Sequence, residues 1–190
     1  MKLVKYILMA IISLAVLILL VAAVSPKKYD VVRYVNIETT SKYVFGYIKY
    51  LKNQDNFSVW AEMDPNNQKT YTGVDGTIGF VSAWKSNKKD VGQGEQEIKN
   101  IIQGKRVDFE LRFNEPFEST AQAYITTEAI SPMETRVVWG CYGSMPYPMN
   151  LMLLFMDMDE MLGSDLATGL EKLKQLLESN LVMQFSSDGC

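Results

Sequence analysis

Between Val107 and Phe113 the chain alternates without a break. Val107, Phe109, Leu111 and Phe113 fall on one side, and Asp108, Glu110 and Arg112 on the other. A period of two with one wet face predicts a half-buried β-strand. Its four large apolar groups must face either a solid core or a recess that holds another molecule. Other runs have strand character too. "YDVVRYVNIET" is rich in β-branched and aromatic residues, and "KTYTGV", "TIGFVSAWK", "EQEIKNII", "FESTAQAYITTEAI" and "METRVVWGCYG" follow in series. Asp75-Gly76, the polar "SNKKDVGQG", Gln103-Gly104, Asn114-Glu115-Pro116 and Ser131-Pro132 separate them, each with turn chemistry. A meander is the simplest connectivity.

Elsewhere the period is helical. "SKYVFGYIKYLKN" places Val44, Ile48 and Leu51 on one side, with Thr39, Thr40 or Ser41 available as a cap. "NFSVWAEMDPNN" predicts a second short helix anchored by Trp60, ending in the turn Asp64–Asn67. Beyond Pro146 and Pro148 a long helix is expected, with Phe155, Met158, Leu162, Leu166, Leu170, Leu173 and Leu177 in one stripe. After Glu178 the period is lost.

The first stretch is different material. From Tyr6 to Val24 there is no charge, and the only strongly polar side chain is Ser13. At 1.5 Å per residue this run is about 28 Å long, close to the ~30 Å hydrocarbon thickness of a bilayer. A signal peptide cleaved at Val21-Ala22-Ala23 is the alternative, but the apolar run exceeds the usual ~7–15 residues. The expectation is a single-pass anchor in residues 1–26, a domain in residues 27–180 and a tail in residues 181–190. Lysines flank both sides of the run, so charge does not orient it. The short charged N-terminus resembles a translocation start and favours a domain outside the cytoplasm.

Composition narrows the chemistry. The chain has no histidine, which removes Ser-His-Asp and Cys-His nucleophile activation, imidazole metal ligation and imidazole proton shuttles. Its net charge of -3 offers no basic footprint for nucleic acid. Cys141 lies in a strand-like run and Cys190 ends the chain, a pair that builds neither a disulfide framework nor a metal site. No cofactor, metal or catalytic constellation is expected.

One amphipathic helix and a long antiparallel sheet must bury their apolar faces together, and wrapping the sheet around the helix does so. The fold class is α+β. The order of "VVRYVNIETTSKYVFGYI", "NFSVWAEMDP", "GTIGFVSAWKS", "VGQGEQEI", "VDFELRFNEPFE", "TRVVWG" and "LGSDLATGLEKLKQLLE" resembles the SRPBCC (START-like, polyketide cyclase/dehydrase) superfamily, including membrane-anchored bacterial members. That resemblance implies the helix-grip fold and a deep apolar pocket for lipids, sterols or polyketides, with catalysis in only some members.

On this reading a hydrophobic small molecule sits between sheet and C-terminal helix, and the bilayer is the second partner, through residues 6–24. Candidate ligand contacts are Trp60, Trp84, Phe109, Leu111, Phe113 and Trp139, with Gln96 as an orienting polar group. Ala121 and Ala123, small and inward, can leave space opposite the large groups or equally fit tight packing. Met152 and Met156 belong to a methionine-rich segment expected to cap the cavity mouth. Glu95, Glu97, Asp108 and Glu110 are expected on the outer face as surface charge, and Lys85, Lys88 and Lys89 at a hairpin tip. A cyclase-type enzyme and a chaperone-assisting interaction domain are the competing functional readings.

Overall fold

The computed structural model describes residues 2–88, 91–115 and 117–187; Lys89 and Cys190 lie outside them. Helix α1 spans Lys2–Val24 and strand β1 spans Lys28–Ile37, so only three residues separate the apolar helix from the domain. Helix α2 (Ser41–Ile48), a 3-10 turn (Leu51–Asn56) and the short helix α3 (Val59–Glu62) follow. Six strands come next: β2 (Gln68–Thr72), β3 (Val81–Lys85), β4 (Gln93–Ile102), β5 (Arg106–Glu115), β6 (Ser119–Ser131) and β7 (Glu134–Ser144). A second 3-10 turn over Met149–Leu154 leads to the long helix α4, Met158–Ser187.

All pairings are antiparallel, in the order β1-β7-β6-β5-β4-β3-β2. The expected meander is therefore present from β2 to β7, and β1 closes the far edge against β7. Thr40 caps α2, its side chain accepting from the Tyr43 amide at 3.3 Å. This sheet packed on a long C-terminal helix is the expected helix-grip arrangement.

Helix α4 runs along β1 and is fastened at both ends. Arg33 donates to both Asp159 carboxylate oxygens, at 3.0 and 2.8 Å, and to the Asp159 carbonyl at 2.9 Å. At the other end Lys174 donates to the Asn36 carbonyl at 2.9 Å, and the Glu38 amide donates to Glu178 at 2.8 Å. A Cβ at Gly163 would collide with the Arg33 guanidinium, which crosses the helix there and would have to shift. The same holds at Gly169 against Trp139, whose ring would stand 2.9 Å from a Cβ. Leu166, Leu170, Leu173 and Leu177 are buried from this helix, with Met158 and Leu162 packed beside them.

Several elements differ from expectation. Phe155 lies before α4 and is 87% exposed. Asp157 sets the start instead: its side chain accepts from the Glu160 amide at 3.0 Å, and Glu160 stands three residues on, as in a capping box. The two prolines lead into the 3-10 turn, not into the helix. Helix α4 also continues past Glu178 to Ser187. Asp75-Gly76 does not make a tight hairpin, because Asp75 accepts from the Leu51 and Lys52 amides at 2.8 and 3.2 Å and so caps the first 3-10 turn. Strand β3 begins at Val81, although Gly79 and Phe80 still exchange backbone bonds with Ile98.

Candidate functional site: the concave face of the sheet

Strand register arranges the inward side chains in rows across the sheet. The first row runs Val107, Ile125, Trp139 and the second Ile98, Phe109, Ala123, Cys141, Val31. The third runs Ser82, Gln96, Leu111, Ala121, Gly143, Tyr29. The fourth runs Trp84, Gly94, Phe113, Ser119. Burial is less complete in the third and fourth rows, although Ala121 and Gly94 remain buried. Val107, Ile125 and Trp139 are core, and Phe109 is 0% exposed between Ile98 and Ala123. Leu111, Phe113, Gln96 and Trp84 are only half-buried, and Ser119 is exposed.

The four inward groups of β5 thus divide. Val107 and Phe109 belong to the same buried core cluster as the α4 leucines, while Leu111 and Phe113 are only half-buried. Small residues hold the middle of the third row, where Ala121 stands opposite both Leu111 and Gly143. Two grooves stand out among the described residues. One, of about 410 Å³, is bordered by Pro26, Lys28, Tyr29 and residues 153–158. The other, of about 480 Å³, runs along α2 and is bordered by Thr40, Tyr43, Tyr47 and Tyr50. Neither is lined by Leu111, Phe113 or Gln96. Large side chains fill the bottom of the concave face, and burial becomes partial toward the end of the sheet that carries Phe113 and Trp84.

Each proposed ligand contact has a definite place. Trp139 lies at the core, edge-on to Phe57 at 5.5 Å and to Trp60 at 6.0 Å between ring centroids. Trp60 is half-buried on α3. Trp84 meets the Phe113 ring edge-on at 5.8 Å and donates its indole N–H to the Val91 carbonyl at 3.2 Å. Gln96 shares the inward face with Leu111, as expected. Met156 lines a groove of about 410 Å³ with Pro26, Lys28, Tyr29 and Met158, whereas Met152 is exposed on the 3-10 turn.

Two inward polar groups were not singled out by sequence. The Tyr29 hydroxyl lies over Gly143, and burial, followed by the nearby Cys141, pushes it up to about 12. Cys141 itself rises to about 11, first through burial and then through Asp30. The second group is Asp165, half-buried on α4 one turn before Gly169. Lys172, two turns on and hence on the same helix face, pairs with Glu62 of α3. Asp165 therefore stands on the side of α4 that faces α3. Burial raises its carboxyl, and among the described residues it has no hydrogen-bond partner. Only its off-stripe position, between Leu162 and Leu166, could have marked it.

That shift has a measurable sign. An acid raised in the folded state binds its proton more tightly there, so stability falls as pH rises from the unfolded value, about 3.9, through the folded one. Asp165→Asn is expected to raise the melting temperature at pH 7, with the gain disappearing below about pH 4. Thermal melts at both pH values check it.

The outer-face carboxylates stand where expected. Arg112 donates to Glu95 at 2.6 Å, to Glu97 at 2.7 Å and also to Glu110. Its hydrogen bonds are the largest cause holding Glu97 and Glu110 below the ordinary carboxylate range. These are ionised surface groups, not a proton-transfer pair. Among the described residues there is no group of His, Cys, Asp and Glu arranged to hold a metal.

No sequence model of a protein family matches the chain, and no curated protein matches it in sequence. Solved structures do match in shape. A Thalictrum flavum norcoclaurine synthase point mutant, in complex with a transition-state analogue, superposes with TM-score 0.61 at 7% identity, covering 83% of this chain and 98% of that one. Ara h 8.0201 gives 0.52 at 10% identity over 80% and 99%. A solution structure of a Thermobifida fusca protein gives 0.53 at 15% identity over 78% and 92%. The structural neighbours are Bet v1-like/SRPBCC proteins, and at these identities the likeness establishes the helix-grip fold alone.

Proposed function

We propose that this chain is a single-pass membrane protein whose domain binds a hydrophobic, lipid- or polyketide-like small molecule on the open half of the concave face. The observation that carries the reading is the loss of burial along β5, from Phe109 at 0% to half-buried Leu111 and Phe113. An apolar trough with few polar groups suits an apolar ligand oriented by one or two hydrogen bonds. Gln96 and Tyr29 are those groups, and Leu111, Phe113, Trp84 and Trp60 supply the apolar walls. Phe109 and Trp139 form the floor, and Met156 borders the groove where the trough meets Tyr29. Helix α1 supports the anchor: it is long and apolar enough to cross a bilayer, and its side chains are exposed along nearly their whole length.

Asp165 favours one second reading, an enzyme of the cyclase type in which a half-buried carboxyl handles protons on the bound chain. Mass spectrometry of the apolar molecules that co-purify with residues 27–190 tests the first reading. One compound, or one narrow class, is expected in near-stoichiometric amount. A domain that takes up no apolar molecule even after exposure to a total lipid extract removes it.

A further inference from the structure

Asn150 is polar, 0% exposed and sits in an otherwise apolar turn. Its side-chain amide nitrogen donates to the carbonyls of Ala22 at 2.7 Å, Ser25 at 3.3 Å and Pro26 at 3.4 Å. The Tyr147 hydroxyl adds a bond to the Leu19 carbonyl at 3.3 Å. The Ala22 carbonyl belongs to the last turn of α1, whose carbonyls the helix itself leaves open. Ala22, alone among the described side chains of α1, is fully covered. Below this clasp the Met145 amide donates to the Lys27 carbonyl at 2.8 Å, and Lys28 pairs with Ser144. The turn is thus fixed to the end of α1 at the place where the chain enters the domain.

The outward side of the same turn is apolar. Tyr147, Met149, Met152, Leu154 and Phe155 are all exposed, Phe155 the most. So many exposed apolar side chains within one short turn are unfavourable in water and mark a contact surface. If α1 spans the bilayer, its end at Val24 lies at the edge of the hydrocarbon layer, and whatever is clasped to that end lies there as well.

We propose that residues 147–155 form a second membrane contact, a hydrophobic foot set into the headgroup–acyl boundary of the leaflet from which α1 emerges. The inference rests on the anchor reading and deepens it. Tyrosine is favoured at this depth, apolar side chains enter about 5–10 Å, and Lys27 and Lys28 stand beside the clasp to meet lipid phosphates. The foot fixes the domain's orientation. The groove bounded by Pro26, Lys28, Tyr29 and residues 153–158 then opens onto the bilayer, and an acyl chain reaches the trough without crossing water. Partial burial falls away toward this same end of the sheet, where Phe113, Ser119, Ser144 and Lys28 lie.

The test uses the full chain in vesicles of phosphatidylcholine and phosphatidylglycerol, with the photo-crosslinking residue p-benzoylphenylalanine replacing Phe155. The control replaces Met133, which is also exposed but lies at the β6–β7 turn, at the opposite end of the sheet. After illumination, mass spectrometry is expected to find lipid adducts at position 155 and none at 133. Asn150→Ala is expected to lower the adduct yield at 155 about fivefold while the protein stays in the carbonate-resistant membrane fraction. Tyr147→Phe, which removes a single bond, gives a milder fall and serves if the first variant does not fold. Carbonate-resistant protein without adducts at 155 overturns the foot and leaves the anchor standing. Release of the full chain by carbonate overturns the anchor, and the foot with it.

Discussion

Replacing Phe109 by alanine is expected to cost about 3–5 kcal/mol of unfolding free energy. The ring is fully buried, with Ile98 and Ala123 as its cross-strand neighbours. Removing it deletes apolar contact and leaves a cavity that rigid strands on both sides cannot collapse. Denaturant unfolding of residues 27–190 measures the loss. Binding of an apolar fluorescent probe is expected to change little, since the deleted ring belongs to the floor of the trough and not to its open wall. Leu111, one inward position further along the same strand, should behave the other way when shortened to alanine. Its stability loss should be smaller, and its effect on probe binding larger. A small loss at Phe109 with strongly altered probe binding would mean that the open space reaches deeper than the burial pattern implies.

Much of the fold was legible because the relevant signals are local. Alternation from Val107 to Phe113 gave β5 and both its faces, and the leucines at 166, 170, 173 and 177 gave α4 and its buried side. Both follow from the geometry of a single element. What the alternation could not give was the boundary between core and trough, because that depends on where α4 lies across the sheet. Arg33 and Asp159 fasten one end of α4 to β1, and they lie far apart in the chain. The start of α4 was misplaced for a different reason. Two prolines drew the boundary toward Phe155, while the cap signal in Asp157 and Glu160 lay a few residues on. Asp75 looked like a turn residue because Asp-Gly favours hairpins, yet its carboxylate is engaged by distant backbone amides. Asn150 was not legible at all. Its acceptors are backbone carbonyls at the end of α1, and backbone carbonyls carry no sequence signature.

The expected methionine cap also changes its meaning. Met152 and Met156 are near neighbours in sequence, but one faces solvent from the 3-10 turn and the other lines the groove beside Tyr29. The turn that carries Met152 is held by Asn150 to the end of α1, so its position follows that helix. Flexible thioethers at the rim are well suited to repack around a passing apolar chain.

The second large effect is expected at Ala121, which stands opposite Leu111 on one side and Gly143 on the other. If space is open there, Ala121→Leu fills it: stability stays within about 1 kcal/mol, while the added side chain occupies the volume a ligand needs. Affinity for an apolar fluorescent probe should then fall at least about tenfold, the equivalent of ~1.4 kcal/mol. If the third row is instead packed as tightly as the second, the same substitution overfills it and costs about 1–3 kcal/mol. Probe titration and denaturant unfolding of Ala121→Leu, beside the parent domain, therefore test the trough most directly. The account predicts retained stability with binding weakened tenfold or more; a destabilised domain that binds the probe as the parent does would contradict it.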